Sequence, residues 1–161
     1  MDNSITAYVK TPIGFARITG NDDGISEISV VDECGDQPAK IPDCMAEALV
    51  QLEEYFLKKR TEFDLKLLIN GTEFQNKVWA FLRKIPYGKT MTYMEQSICL
   101  GDKKAIRAVA SANGKNPFWI VIPCHRVIGS DGALTGYAGG LWRKNWLLHH
   151  ELAMTQLQLF L

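Results

Sequence analysis

At 161 residues with a formal net charge of zero, the chain has room for one ordinary domain or two small ones. Hydrophobic residues at 47% and charged residues at 22% exclude a disordered protein, and no apolar run is long enough to span a bilayer. The N-terminal Met1-Asp2-Asn3-Ser4 lacks the basic and then apolar pattern of a signal peptide, so a cytoplasmic protein is expected.

The zero charge hides a division along the chain. Residues 1–75 carry 7 Lys and Arg against 14 Asp and Glu, a net −7, whereas residues 76–161 carry 11 against 4, a net +7. Such asymmetry points to polyanion binding by the basic half, with dimer or interdomain electrostatics as the plainer alternative. Cys34, Cys44, Cys99 and Cys124 form no C-x-x-C pair and read as free thiols in a reducing compartment. Cys99, between Ile98 and Leu100, is expected to be a small core hydrophobe. Zinc at Cys34 and Cys44 is disfavoured because His125, His149 and His150 lie far along the chain, and no metal or other cofactor is expected.

In chain order, Ile5 to Lys10 and Ile13 to Thr19 read as strands joined by a turn at Thr11-Pro12, with a third strand over Ile25 to Val31. Pro42-Asp43 signals a helix start, with Asp43 as its cap. Met45, Leu49, Leu52 and Phe56 would share one face, and Lys58-Lys59-Arg60 would suit its end. Phe63, Leu65 and Leu67 alternate with Asp64 and Lys66 as in a half-buried strand. Residues 1–70 are thus expected to form a small α+β scaffold without chemistry of its own.

From Gly71 the pattern becomes helical. Thr72-Glu73-Phe74-Gln75 is a capping box, followed by Phe74, Val78, Phe81, Leu82 and Ile85 at helical spacing until Pro86-Tyr87-Gly88. Thr92-Tyr93-Met94-Glu95 opens a short helix ending near Leu100-Gly101, and Asp102 caps a second over Lys103 to Asn113, stopped by Gly114. Together they predict a helix-turn-helix. In the second helix Lys103, Lys104, Arg107, Ala108 and Ser111 fall on one arc, with Ile106, Val109 and Ala110 opposite. Its basic face, continued by Lys115, suits phosphates, and its small residues allow close approach of the backbone.

The apolar run around Ile122-Pro123-Cys124-His125-Arg126-Val127-Ile128 would read as a buried strand, yet it holds a thiol, an imidazole and a guanidinium. That conflict marks a functional site. Gly129 to Gly140 contains five glycines with Thr135 and Tyr137 and must be a loop. A final helix from about Leu141 carries Trp142, Trp146, Leu147, His150 and Glu151, and its tryptophans are expected in the core.

The Pro-Cys-His-Arg-Val stretch, with Asn116-Pro117 upstream and Gly136-Tyr137-Ala138-Gly139-Gly140 and His150-Glu151 downstream, resembles the O6-alkylguanine-DNA alkyltransferase family over about residues 71–151. The resemblance implies an N-terminal ribonuclease-H-like antiparallel sheet plus helix, followed by a mostly helical domain over 71–161 that binds DNA and accepts the alkyl group. It implies a suicidal methyltransferase of DNA repair: one irreversible transfer from O6-alkylguanine in double-stranded DNA, with O4-alkylthymine as a second candidate, to Cys124. His125 would take the thiol proton through a water, Glu151 would orient His125, and Asn116 would brace the turn. Arg107 would fill the space left by a flipped base, and Tyr93 would crowd the phosphate and donate to the guanine. Val127, Tyr137, Ala138 and Gly139 would complete the base pocket, with Ala138 where family members often carry Ser. Minor-groove binding by a monomer follows from the resemblance alone, since a helix-turn-helix more usually reads the major groove. A Cys-His-acid thiol hydrolase and a helix-turn-helix regulator stand as alternatives. Alkyltransferase-like proteins without the acceptor cysteine fit less well. Arg126 is expected to pair with a carboxylate or with carbonyl groups.

Overall fold

The computed structural model describes residues 3–132 and 134–159, the side chains of 153–159 excepted. It divides into two compact units, one reaching Asn70 and including Pro117–Trp119, the other comprising Gly71–Asn116 and Ile120 onwards. No helix among the described residues is long and apolar enough to cross a membrane.

In the first unit β1 (Ile5–Thr11), β2 (Gly14–Asn21) and β3 (Gly24–Val31) form an antiparallel sheet in the order β1-β2-β3. Alternation places Ala7, Ala16, Ile18 and Ile28 in the core, Ile25 is buried beyond a register shift at Thr19/Gly20, and α1 (Asp43–Phe56) adds Met45, Ala48, Leu52 and Tyr55. Thus α1 turns inward along a stripe offset from the expected one, leaving Leu49 and Phe56 half-buried. Its N-cap is Pro42, and no side chain caps it; Asp43 instead lies in the first turn. There its charge still favours the helix dipole. At the other end the chain leaves the helix at Leu57, and Lys58 adopts a left-handed φ of 61°. The basic run therefore lies beyond the helix.

The expected fourth strand is only an edge segment. Leu67 bridges Ile25 in parallel, with Ile25 N donating to Lys66 O at 2.9 Å and Leu68 N to Ile25 O at 2.7 Å. Further along β3, Phe118 bridges Ile28, with Ile28 N donating to Pro117 O and Trp119 N to Ile28 O, both at 2.9 Å. Two short pieces thus satisfy backbone groups that an open edge would expose.

The second unit is mostly helical, as expected for the α+β class with segregated elements. In α2 (Glu73–Leu82) the Thr72 hydroxyl accepts from Gln75 N and the Gln75 side chain accepts from Thr72 N, a full capping box worth about 1 kcal/mol. Val78, Trp79 and Leu82 are its buried residues, Ile85 is buried just beyond its end, and Phe74 is exposed. Trp79 takes the inward place because its indole donates to Ala112 O at 2.8 Å. A Cβ at Gly71 would come within 2.5 Å of that ring, which is why glycine stands there.

The helix-turn-helix consists of α3 (Tyr93–Cys99) and α4 (Ile106–Gly114). Thr92 caps the first helix by accepting from Glu95 N, and Asp102 accepts from Lys104 N to open a single 3-10 turn over Lys103–Ala105 before α4. Within α3 the buried positions are Gln96 and Ser97, so Cys99 is exposed and is not the core residue expected of it. Apolar neighbours in sequence do not share a helix face. A two-residue parallel pairing joins β4 (Met91–Thr92) to β5 (Val127–Ile128), with Met91 opposite Val127. It brings the start of α3 beside the residues that follow the cysteine.

Candidate active site

Pro123 has φ −82° and ψ 65°, the inverse γ-turn, and Cys124 N donates across it to Ile122 O at 2.8 Å. A 3-10 turn over Cys124–Arg126 follows directly. The apolar run therefore breaks at Pro123 and turns its thiol, ring and guanidinium in different directions. Asn116 Nδ2 donates to the same Ile122 carbonyl at 2.6 Å, bracing the turn from outside.

Cys124 keeps part of its surface open while atoms crowd it on most sides. Burial raises its pKa, and a hydrogen bond from the Asn116 side chain, the charge of Lys144 and the backbone of the turn only partly offset this. The resting thiol thus holds its proton and needs a base.

Next to it, His125 is fully buried, and its Nε2 lies 2.7 Å from Glu151 Oε2. Arg126 grips the same carboxylate twice, from Nε at 2.8 Å and Nη2 at 3.1 Å, and its Nη1 donates to Ile85 O at 2.6 Å. The expected partner types for Arg126, a carboxylate and a carbonyl, are both present. Burial pushes the Glu151 carboxyl up, but His125 and Arg126 outweigh it and hold the group well below the usual carboxylate range. An ionised Glu151 accepts only, so Nε2 carries a ring hydrogen and Nδ1 is the other ring nitrogen. Among the described residues that Nδ1 is buried and has no hydrogen-bond partner. Tyr87 flanks the group, with Arg126 5.7 Å from its ring centroid. Burial, and then the charge of Glu151, push its phenol up to about 12 despite the opposing pull of Arg126.

Lys144, two helical turns before Glu151 on α5 (Leu141–Leu159), was not singled out from the sequence. It is 0% exposed, donates to Thr135 O at 3.1 Å and Tyr93 Oη at 3.4 Å, and lies 5.6 Å from the Tyr93 ring centroid. Among the described residues no carboxylate forms an ion pair with it; such a buried cation is costly, and it is held here by carbonyl, phenol and ring. The signal that could have found it is its spacing: Arg143, Lys144, Leu147, His150 and Glu151 are the inward face of α5. Because that face is mostly polar, Trp142 is turned outward, 56% exposed and stacked under Arg143 at 4.5 Å, against the expectation of a core tryptophan. Trp146 is half-buried and stacks on His150 at 4.9 Å.

A depression of about 550 Å3 is lined by Tyr93, Met94, Ile106, Ala110, Thr135 and Tyr137, among others. Of the other expected pocket residues, Val127 is fully buried in β5, Ala138 is exposed, and Gly139 offers its carbonyl to Arg143 Nη1 at 3.1 Å. Lys103, Lys104, Arg107, Ala108, Ser111 and Lys115 are all exposed along the helix-turn-helix. Among the described residues no cluster of three or more His, Cys, Asp or Glu is placed to hold a metal ion.

A braced cysteine backed by a buried imidazole, carboxylate and guanidinium, in one unit with a basic helix-turn-helix, defines a thiol-nucleophile protein equipped for a polyanion. Residues 73–153 match the model of the 6-O-methylguanine DNA methyltransferase DNA-binding domain, and residues 5–69 match that of the ribonuclease-like domain of the same proteins. The chain is 46% identical over 150 residues to a methylated-DNA–protein-cysteine methyltransferase of Methanosarcina barkeri, covering 89% of this chain and 94% of that one. Among solved structures, the O6-methylguanine methyltransferase of Mycobacterium tuberculosis superposes with a TM-score of 0.83 at 38% identity over 93% of both chains. The same organism's protein in complex with DNA gives 0.83 at 40% over 92% of both. The chain belongs to the 6-O-methylguanine DNA methyltransferase family.

Proposed function

We propose that this chain repairs DNA by moving the alkyl group of O6-alkylguanine in a duplex to Cys124, once per molecule. Membership of the family makes it a methyltransferase of DNA repair with DNA as its partner. The observation that carries the finer reading is the order Cys124, His125, Glu151, with a brace at Asn116 and a buried Nδ1 left to receive a proton.

In this reading His125 Nδ1 takes the thiol proton through one water, and the imidazolium that forms is stabilised by Glu151. Arg126 keeps that carboxylate ionised and oriented while the ring is neutral. The thiolate attacks the alkyl carbon, the S–C bond forms as the C–O6 bond breaks, and guanine leaves as its anion, stabilised by a hydrogen bond donated by Tyr93, the proton held on the imidazolium making good its charge through solvent. The thioether has no good leaving group, so no second turnover follows. The base must leave the stack to reach the thiol, and Arg107 on the exposed face of α4 would fill its place. Lys103, Lys104 and Lys115 would meet phosphates, Ala108 and Ser111 would allow close approach, and Tyr137, Ala138, Gly139 and Val127 would contribute to holding the base. Residues 1–70 would serve as scaffold and 71–161 as the working domain of a monomer. O4-alkylthymine, which also carries its alkyl group on oxygen, is the secondary substrate of this reading.

The test is one equivalent of protein with a duplex holding a single O6-methylguanine. Mass spectrometry should find the methyl group on the peptide containing Cys124. Repaired DNA beside an unmodified peptide, or many turnovers per molecule, would refute the reading. Arg107→Ala should slow repair of the duplex by about tenfold or more while sparing reaction with the free base; equal losses on both would remove the finger role.

A further inference from the structure

Between α3 and α4 the second unit buries two carboxamides that the chemistry above does not use. Gln96 is 0% exposed and Asn113 4%, and they pair reciprocally. Gln96 Nε2 donates to Asn113 Oδ1 at 3.0 Å, and Asn113 Nδ2 donates to Gln96 Oε1 at 2.7 Å. Well-packed apolar side chains of similar volume are often as stabilising as a buried polar pair, so stability alone gives little reason for it. Register is different. A reciprocal amide pair has one good geometry, whereas apolar surfaces tolerate rotation and sliding, and a buried polar residue is the best-attested device for fixing the register of two helices.

The elements that the pair joins both lead into the site. Helix α3 begins at Tyr93, and Asn113 stands one residue before the end of α4. From there the chain is hydrogen-bonded throughout: Lys115 N donates to Ser111 O and Ala112 O, and Asn116 N donates to Asn113 O at 3.3 Å. Trp79 holds the Ala112 carbonyl from α2. Asn116 then braces Ile122 O, at the turn that presents Cys124. Two residues, Gly114 and Lys115, separate the amide pair from the brace, and neither is slack.

We propose that Gln96 and Asn113 are positioning residues: their amide pair locks α4 to α3 so that Asn116 is held against the turn of Cys124, tying thiol reactivity to the register of the helix-turn-helix. The proposal rests on the reading of Cys124 as the acceptor only for its consequence in repair. Its immediate consequence, the reactivity of that thiol, is measurable without DNA.

Two double variants test it. Gln96→Leu with Asn113→Leu removes the amides, and Gln96→Asn with Asn113→Gln exchanges them and keeps their combined length. The measurements are the thermal midpoint, the rate of iodoacetamide alkylation of the Cys124 peptide, and single-turnover methyl transfer from duplex DNA. The apolar pair should melt at or above the wild-type midpoint, yet lose about tenfold or more in both rates, a loss of the size that misplacement of a reacting group produces. The exchanged pair should recover both rates to within about twofold, since the bidentate geometry is retained. Wild-type rates in the apolar pair would overturn the proposal, and so would an exchanged pair as slow as the apolar one. Should the apolar pair not fold, the exchanged pair decides: near wild-type rates support the lock, and a loss of about tenfold rejects it. A wild-type protein whose Cys124 reacts with iodoacetamide but takes no methyl group would defeat the functional reading and leave this test standing.

Discussion

The two units bury different chemistry. In the first, Thr11 and Gln51 are the buried polar side chains among the described residues, and the rest of the core is Ala, Ile, Met, Leu, Tyr, Phe and Trp. The second buries Gln96, Ser97, Asn113, His125, Arg126, Arg143, Lys144, His150 and Glu151. An apolar core is stabilised by area and is indifferent to small rotations, whereas each buried polar group is tolerable only in one hydrogen-bonded arrangement. The first unit is thus built for stability, and the second gives up some of it for fixed geometry around one thiol.

The sharpest way to break this contrast is Glu151→Ala, which leaves Arg126 buried without its counter-charge. Unfolding in urea should show a loss of about 3–5 kcal/mol, with alkyl transfer lost as well. Leu52→Ala in the first unit should cost about 2–5 kcal/mol in the same measurement, yet the transfer rate per folded molecule should stay at the wild-type value. A fall in that rate would mean that the apolar core also sets the geometry of the site.

Acid sharpens the contrast in another way. The folded pKa of Glu151 is depressed, so its contribution to stability is complete above the ordinary carboxylate value, about 4.3. As the pH falls below that value the unfolded chain takes up the proton first, and the contribution is lost on the way down to the folded value. Urea midpoints at successively lower pH should therefore decline, and Glu151→Gln should flatten that part of the slope. The smallest effect concerns Lys144, whose charge lowers the Cys124 pKa and which faces Tyr93, while His125 and the Glu151–Arg126 pair flank the thiol's own turn. Lys144→Met should move the pH midpoint of Cys124 alkylation upward and slow the reaction at neutral pH severalfold, since one pKa unit is a factor of about ten in thiolate below the midpoint. An unmoved midpoint would leave Lys144 a packing residue.

Much of this was legible in local patterns. Apolar runs between turn signals located β1, β2 and β3, the Thr72, Thr92 and Asp102 signals located the starts of α2, α3 and the turn that leads into α4, and one polar arc of α4 is the exposed one. Local rules failed where a face was polar or where a distant partner chose the rotation. Trp79 is inside because Ala112 O awaits its indole, Trp142 is outside because α5 turns Lys144 and Glu151 inward, and Cys99 is exposed because α3 turns Ser97, on the opposite side of the helix, inward.

The amino-acid order by itself determined that Cys124, with His125 and Arg126 after it, stands at a functional site inside an apolar run, downstream of a basic helix-turn-helix. Adjacent residues and capping signals act through the nearest turns of backbone, and such information survives without a fold. Only the tertiary structure decided that Glu151 serves both His125 and Arg126, that Lys144 is the buried cation near Tyr93, and that Gln96 pairs with Asn113. Those choices depend on which polar groups meet in the dry interior, where an unmatched partner is costly, and no period along the chain records that meeting.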